Sequence, residues 1–217
     1  MSIRIILADD HDIVRHGLCQ ALLQEEDMEI VGQAGDGRST VAMARKLLPD
    51  VVLMDISMPN LNGIDATREI RRETPRVRVV ALSMHAAPKR VTEMFRAGAS
   101  AYLLKACDFS ELVRAIRTVV DGKTYVSPSI SDGFVNEMMY ATEKPEPTAF
   151  SLLTHREREV LQLVTEGRTT REMASCLHIS PKTVEAQRLR MMNKLGIGNV
   201  VKLTKYAIQE GLTSAEP

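Results

Sequence analysis

Short apolar runs alternate with longer amphipathic stretches along the first half of this chain. Ile3 to Ala8, Met28 to Ala34, Val51 to Met54, Val77 to Ser83 and Ala101 to Leu104 are each compact, aliphatic and closed by turn or charged residues. Runs of that length read as strands, and those without polar alternation as strands buried on both faces. Between them apolar residues recur at helical spacing. The sets are Ile13, Val14, Gly17, Leu18, Ala21 and Leu22; Val41, Ala44, Leu47 and Leu48, stopped by Pro49; Ile64, Thr67 and Ile70; Val91, Met94 and Phe95, ending near Ala97-Gly98; and Leu112, Ile116 and Val119. Asp108-Phe109-Ser110-Glu111, ahead of the last set, has the form of a capping box. Five strands alternating with five helices predict an α/β domain over residues 1–122. Its doubly wound, five-stranded parallel sheet would have right-handed crossovers and the flavodoxin-like order 2-1-3-4-5.

The pattern weakens from about Lys123 to Ala149, and residues 123–149 read as a linker. Ser127-Pro128-Ser129 starts a short helix through Phe134, Val135, Met138 and Met139, and Glu143-Lys144-Pro145-Glu146-Pro147 is extended in character. Residues 150–217 predict a second, smaller, all-α domain. Thr154-His155-Arg156-Glu157 and Thr169-Thr170-Arg171-Glu172 are capping boxes. Ser180 followed by Pro181 supplies an N-cap with proline at the first helical position, and that helix runs to Leu195 before Gly196. A fourth helix covers Val200 to Gln209. Two short helices joined by a tight His178-Ile179-Ser180 turn, the second rich in cations, are the helix-turn-helix pattern. On that second helix Val184, Leu189, Met192 and Leu195 are expected to form the buried stripe.

Composition, cysteine count and hydropathy narrow this reading. Lys+Arg and Asp+Glu are both 28, but residues 151–217 hold 10 basic and 7 acidic residues, which leaves 18 and 21 for the front. That split fits an acidic site in front and a polyanion-binding surface behind. The three cysteines, Cys19, Cys107 and Cys176, are odd in number and lack metal-ligand spacing, so neither a disulfide framework nor a zinc site is expected. No apolar run reaches membrane-spanning length and the amino terminus enters a strand directly, so the expected location is cytoplasmic, with no membrane partner.

The predicted sheet order makes the first and third strands neighbours, which brings Asp9 and Asp10 close to Asp55. Ser83 and Lys105 end the next two strands on the same edge, where open parallel sheets carry their ligands. Taken singly, Asp55 could cap a turn, Asp9 and Asp10 could cap a helix, and Lys105 and Ser83 could be ordinary surface residues. All five at the tips of four strands point instead to one site. Three such carboxylates repel one another unless a cation joins them, and Mg2+ suits a few carboxylates, several waters and a phosphate oxygen. Asp55 is then the candidate nucleophile for a phosphoryl group, with the Lys105 ammonium and the Ser83 hydroxyl as partners for its oxygens.

These residues carry a resemblance. Asp9-Asp10, the run Asp55-x-x-Met58-Pro59-x-x-x-Gly63, Ser83, and Tyr102 three before Lys105 make residues 1–122 similar to the receiver domain of two-component response regulators. The resemblance implies phosphorylation of Asp55 by a sensor histidine kinase. It implies Mg2+ held by Asp10, Asp55 and the backbone carbonyl of Ser57, with Asp9 behind them or acting through a water. It also implies that Ser83 and Tyr102 move inward on phosphorylation. Ala106 stands where many receivers have proline.

The back of the chain resembles the LuxR-type helix-turn-helix of the NarL/FixJ-like subfamily. Its motifs are Leu153-Thr154-x-Arg156-Glu157-x-Glu159-Val160-Leu161, Ser180-x-Lys182-Thr183-Val184-Glu185 and Lys194-Leu195-Gly196. Lys182, Arg188, Arg190 and Lys194 suit phosphates, and Thr183, Glu185, Ala186 and Gln187 suit base edges in the major groove of double-stranded promoter DNA. Gln187 stands where the family often has histidine. The expectation is a phosphorylation-switched transcription factor, a homodimer when phosphorylated, catalysing only its own phosphoryl transfer and dephosphorylation. Two competing readings are an enzyme that turns over an aspartyl phosphate and a constitutive dimerisation module fused to a DNA reader. The first lacks an obvious second acid or base near Asp55.

Overall fold

Strands made wholly of apolar residues have two faces to bury, and helices on both sides of the sheet meet that demand. In the computed structural model, which describes residues 2–130, 152–210 and 212, the chain divides into two compact units. The first is a parallel sheet of β1 (Ile3–Ala8), β2 (Met28–Ala34), β3 (Val51–Asp55), β4 (Arg78–Ser83), β5 (Ala101–Leu104) and β6 (Tyr125–Val126), ordered β2-β1-β3-β4-β5-β6. Its helices are α1 (Asp12–Leu22), α2 (Gly37–Leu47), α3 (Gly63–Glu73), α4 (Pro88–Ala97) and α5 (Phe109–Val120).

Register decides which residues share a face. Leu7, Leu53, Val80 and Ala101 form one row across four strands, and Ala8, Met54, Ala81 and Tyr102 form the next. The first row packs with Leu22 of α1 and with Leu112, Ile116 and Val119 of α5. Alternation turns the second row to the opposite face, where α2, α3 and α4 lie side by side. Each fully buried Leu, Ile or Val of this core stabilises the fold by roughly 2 kcal/mol. Because β3 is buried along its whole length, its last residue, Asp55, is held by the core rather than by a free loop.

Two expectations for this unit need correction. The sheet has a sixth strand, since Tyr125–Val126 pairs with β5 and so extends the sheet past residue 122. Two half-buried residues at an edge make no apolar run, so their pattern is silent; the strand is held by Tyr125 N–H to the Ser100 carbonyl at 3.0 Å and Ser127 N–H to the Tyr102 carbonyl at 3.1 Å. The Asp108 side chain does not cap α5. Its backbone carbonyl takes the Glu111 N–H instead, and the Glu111 carboxylate accepts from the Tyr125 hydroxyl at 3.3 Å. Residues 128–130 enter a helix, while the continuation through Phe134 to Met139 and the extended Glu143–Pro147 lie outside the described residues.

The second unit is built of α6 (His155–Thr165), α7 (Thr170–Leu177), α8 (Pro181–Leu195) and α9 (Val200–Gln209). Thr154 with Glu157 and Thr169 with Glu172 form complete capping boxes, and the Ser180 hydroxyl oxygen caps α8 by accepting from Thr183 N–H. His178 closes α7 in the left-handed region at φ 53°, which turns the chain sharply into α8. The core gathers Val160, Leu161, Leu163, Met173, Leu177, Val184, Met191, Leu203 and Ala207. On α8 the buried stripe runs through Val184 and Met191; Met192 and Leu195 are only half-buried, and Leu189 is 61% exposed, contrary to the expected stripe. A spacing of seven fixes the stripe as Val184 to Met191, and Leu189 falls on the outer face. Among the described residues no helix is long and apolar enough to cross a membrane. Cys19, Cys107 and Cys176 are free and half-buried.

Candidate functional site

The carboxyl ends of β1, β3, β4 and β5 converge on one acidic pocket. Asp9 follows β1, where its N–H is fixed to the Ala34 carbonyl of β2 at 3.1 Å. Asp55 ends β3, Ser83 ends β4, and Lys105 follows β5, tied by its N–H to the Ser83 carbonyl at 2.8 Å. The Lys105 ammonium lies 2.7 Å from Asp9 Oδ2 and 3.0 Å from Asp55 Oδ2, so one cation spans two buried carboxylates. Asp10 differs: its side chain is 30% exposed while that of Asp9 is 3% exposed, which leaves Asp10 at the mouth. Asp9, Asp10, His11 and Asp55 each offer one ligand atom, all within 4.8 Å of one another, a spread that ligands around one divalent ion can close. Ser57 sits in the same turn, its N–H 3.4 Å from Asp55 Oδ1.

The electrostatics follow from that geometry. Burial pushes the Asp55 carboxyl above the ordinary carboxylate range against the opposing pull of Lys105, and the charges of Asp9 and Asp10 push the same way as burial. Burial works to discharge Lys105, but Asp55 and Asp9 together outweigh it and hold its pKa above the ordinary value. A pocket of this kind is short of positive charge while it remains closed to solvent, and an added cation would relieve it.

Ser83 and Tyr102 meet at one residue. The Ser83 hydroxyl oxygen accepts from His85 N–H at 3.1 Å, and the Tyr102 hydroxyl donates to the His85 carbonyl at 2.9 Å. Tyr102 is fully buried, and burial drives its phenol upward. The loop between β4 and α4 is thus gripped on both sides by the two residues expected to respond to the site.

Two neighbours escaped the sequence reading. His11 Nδ1 is 2.8 Å from Asp10 Oδ1, a closeness that only its place beside the acidic pair hints at. Arg15 Nη1 donates to the Asp9 carbonyl at 2.6 Å, and its guanidinium also pairs with Asp12. The Asp12-Arg15 helical spacing could have revealed the pair but not its reach to Asp9.

On the second unit, Lys182, Thr183, Glu185, Ala186 and Arg190 of α8 are exposed, and Gln187 and Arg188 are half-buried. The Thr183 hydroxyl is 2.8 Å from Ser180 Oγ, inside the cap. Lys194 is engaged elsewhere: its ammonium is 2.7 Å from Glu157 Oε2, joining the end of α8 to the capping box of α6. The Arg156 guanidinium braces the same side by pairing with Glu159 and the Leu177 carbonyl.

A parallel sheet with acidic, hydroxyl and ammonium groups at its carboxyl edge, together with a helix-turn-helix, defines a signalling receiver joined to a DNA reader. Family comparison agrees. Residues 5–117 match the response regulator receiver domain, and residues 151–207 match the bacterial regulatory proteins of the luxR family. The chain is 38% identical over 216 residues to the response regulator UvrY of Escherichia coli, spanning 99% of this chain and 97% of UvrY. It is 39% identical over 213 residues to the transcriptional regulatory protein MctR of Rhizobium johnstonii, spanning 98% and 96%. Among solved structures, that of two RcsB dimers bound to two parallel DNAs superposes with a TM-score of 0.60 at 29% identity, covering 95% of this chain and 98% of RcsB. The chain belongs to the two-component response regulators, in the NarL/FixJ-like group of DNA-binding transcription regulators.

Proposed function

We propose that Asp55 accepts a phosphoryl group from the phosphohistidine of a sensor histidine kinase and that this event switches promoter binding. The observation that carries the reading is the Lys105 ammonium bridging Asp9 and Asp55 at the sheet edge. An Asp55 carboxylate oxygen attacks phosphorus in line, the bond from phosphorus to the donor imidazole nitrogen breaks, and that nitrogen leaves with the bonding pair. Lys105 then has a phosphoryl oxygen to meet in place of a carboxylate oxygen, and the Ser83 hydroxyl can donate to another.

The acidic donor set fits Mg2+, a hard cation that prefers oxygen ligands. Asp10, Asp55 and the Ser57 carbonyl would hold it, with Asp9 acting through a water. Bound there, Mg2+ offsets the charge that gathers on the phosphoryl group. Loss of the acyl phosphate to water in the same pocket resets the protein, so its catalysis is confined to its own phosphoryl transfer and dephosphorylation.

Drawing the Ser83 hydroxyl to the phosphoryl group frees His85 N–H, and the loop that Tyr102 holds from the other side must rearrange. That is a local charge event beside a loop held by two side-chain hydrogen bonds. The output is pairing of two chains on two promoter half-sites in the cytoplasm, with Lys182, Arg188 and Arg190 of α8 on phosphates and Thr183, Glu185, Ala186 and Gln187 toward base edges. RcsB, whose dimers are seen on DNA, supports that arrangement. Lys194 serves this surface by anchoring α8 to Glu157.

The test is Asp55→Asn. With acetyl phosphate as donor, the parent chain gains self-association and promoter affinity and the variant does not. A variant that responds as the parent does would sink the reading.

A further inference from the structure

The outer face of α8 carries an apolar residue that its buried stripe does not need. Val184 and Met191 point the helix inward, and the opposite stripe runs Lys182, Ala186, Leu189 and Asn193, all exposed. Leu189 is 61% exposed, so its side chain contributes little to the core. A branched aliphatic group in the middle of a face flanked by Lys182, Glu185 and Arg190 adds little to folding and lies where base edges would be met. The major groove presents one apolar group to such a face, the 5-methyl of thymine.

We propose that Leu189, with Ala186 one turn before it, reads thymine 5-methyl groups and so sets the base preference of this protein. The inference rests on α8 docking in the major groove. Lys182 and Arg190 hold the register through phosphates, and Leu189 adds discrimination at thymine to the base-edge contacts of Thr183, Glu185 and Gln187. Removing one methyl from a buried contact is worth about a fourfold loss of affinity. Because the side chain is exposed in the free protein, that loss comes without a loss of fold.

The experiment uses the full chain, phosphorylated with acetyl phosphate, and a duplex recovered by selection from a random-sequence pool. Each thymine in that duplex is replaced in turn by deoxyuridine, which removes only the methyl. For the parent, one or two positions lose about fourfold in affinity. For Leu189→Ala those same positions become insensitive, phosphate-dominated binding to unrelated duplex is unchanged, and the thermal midpoint stays within about 2 °C of the parent. Uniform insensitivity of the parent to deoxyuridine would overturn the inference, as would a Leu189→Ala chain that keeps the parent pattern or changes only self-association. Failure to enrich any duplex would instead defeat the DNA-reading role of α8, and the inference with it.

Discussion

A Cβ placed on Gly63 would stand 2.0 Å from the backbone oxygen of Asp55. The first residue of α3 therefore presses on the tip of β3, held there by Gly63 N–H to the Ile56 carbonyl at 2.8 Å. The contact is with backbone, which cannot swing aside as a flexible side chain can. Gly63→Ala is expected to cost about 2–3 kcal/mol of receiver stability, read as a lower urea midpoint with an unchanged slope. It should also slow phosphorylation by acetyl phosphate, because the Asp55 turn must shift to make room.

Lys105 holds two buried carboxylates together, so its removal should be felt in stability before it is felt in chemistry. Lys105→Met leaves Asp9 and Asp55 facing each other without the ammonium, a loss on the order of 3 kcal/mol. Added Mg2+ should restore part of that loss, and more in the variant than in the parent, since the ion then supplies the missing charge. Thermal melts with and without Mg2+ check this. Equal Mg2+ increments in the two proteins would remove the ion from the pocket formed by Asp9, Asp10 and Asp55.

Tyr102→Phe deletes the hydroxyl that fastens the His85 carbonyl and also bonds to Ser83, and leaves the buried ring in place. The expected cost is about 1 kcal/mol. Hydrogen exchange should quicken at the amides of His85 to Ala87 while the β4 and β5 amides keep their protection. An unchanged loop would mean that Tyr102 does not grip it.

Acid should weaken the reader domain through Glu157. Burial works to keep this carboxyl protonated, but the Lys194 ammonium and the Thr154 backbone and hydroxyl outweigh it, so its pKa lies below the ordinary 4.5. A depressed folded value contributes stability that is complete above the unfolded value and fades as pH falls through the folded one. The thermal midpoint of the reader domain should thus drop below about pH 4.5 in the parent and drop less steeply in Lys194→Met. Parallel curves would show that the pair does not report to folding.

Much of the receiver was legible from local pattern. Strands buried on both faces have no freedom to alternate, so Ile3–Ala8 and Val51–Asp55 announce themselves as apolar runs, and their alternation with helices matched the flavodoxin-like order of the first five strands. Capping residues were equally plain where Thr154, Thr169 and Ser180 bond to backbone three residues on. Asp108 shows the limit: the same spelling gave no side-chain cap, the Glu111 N–H going to the Asp108 carbonyl and the Glu111 carboxylate to Tyr125, on a strand too short to carry a pattern.

Local pattern was enough for the five main strands, most helix starts and the chemical groups at the strand tips, because each depends on neighbours a few residues away. What those groups touch depended on packing between elements. Lys105 spanning Asp9 and Asp55, Tyr102 and Ser83 closing on His85, and Lys194 drawn to Glu157 join residues from different parts of the chain, and which side of α8 faces the core turns Leu189 outward and Met191 in. Such pairings are set by how helices rotate and strands register once the core is packed, and a helical period read along one segment carries no record of the surface that segment will meet.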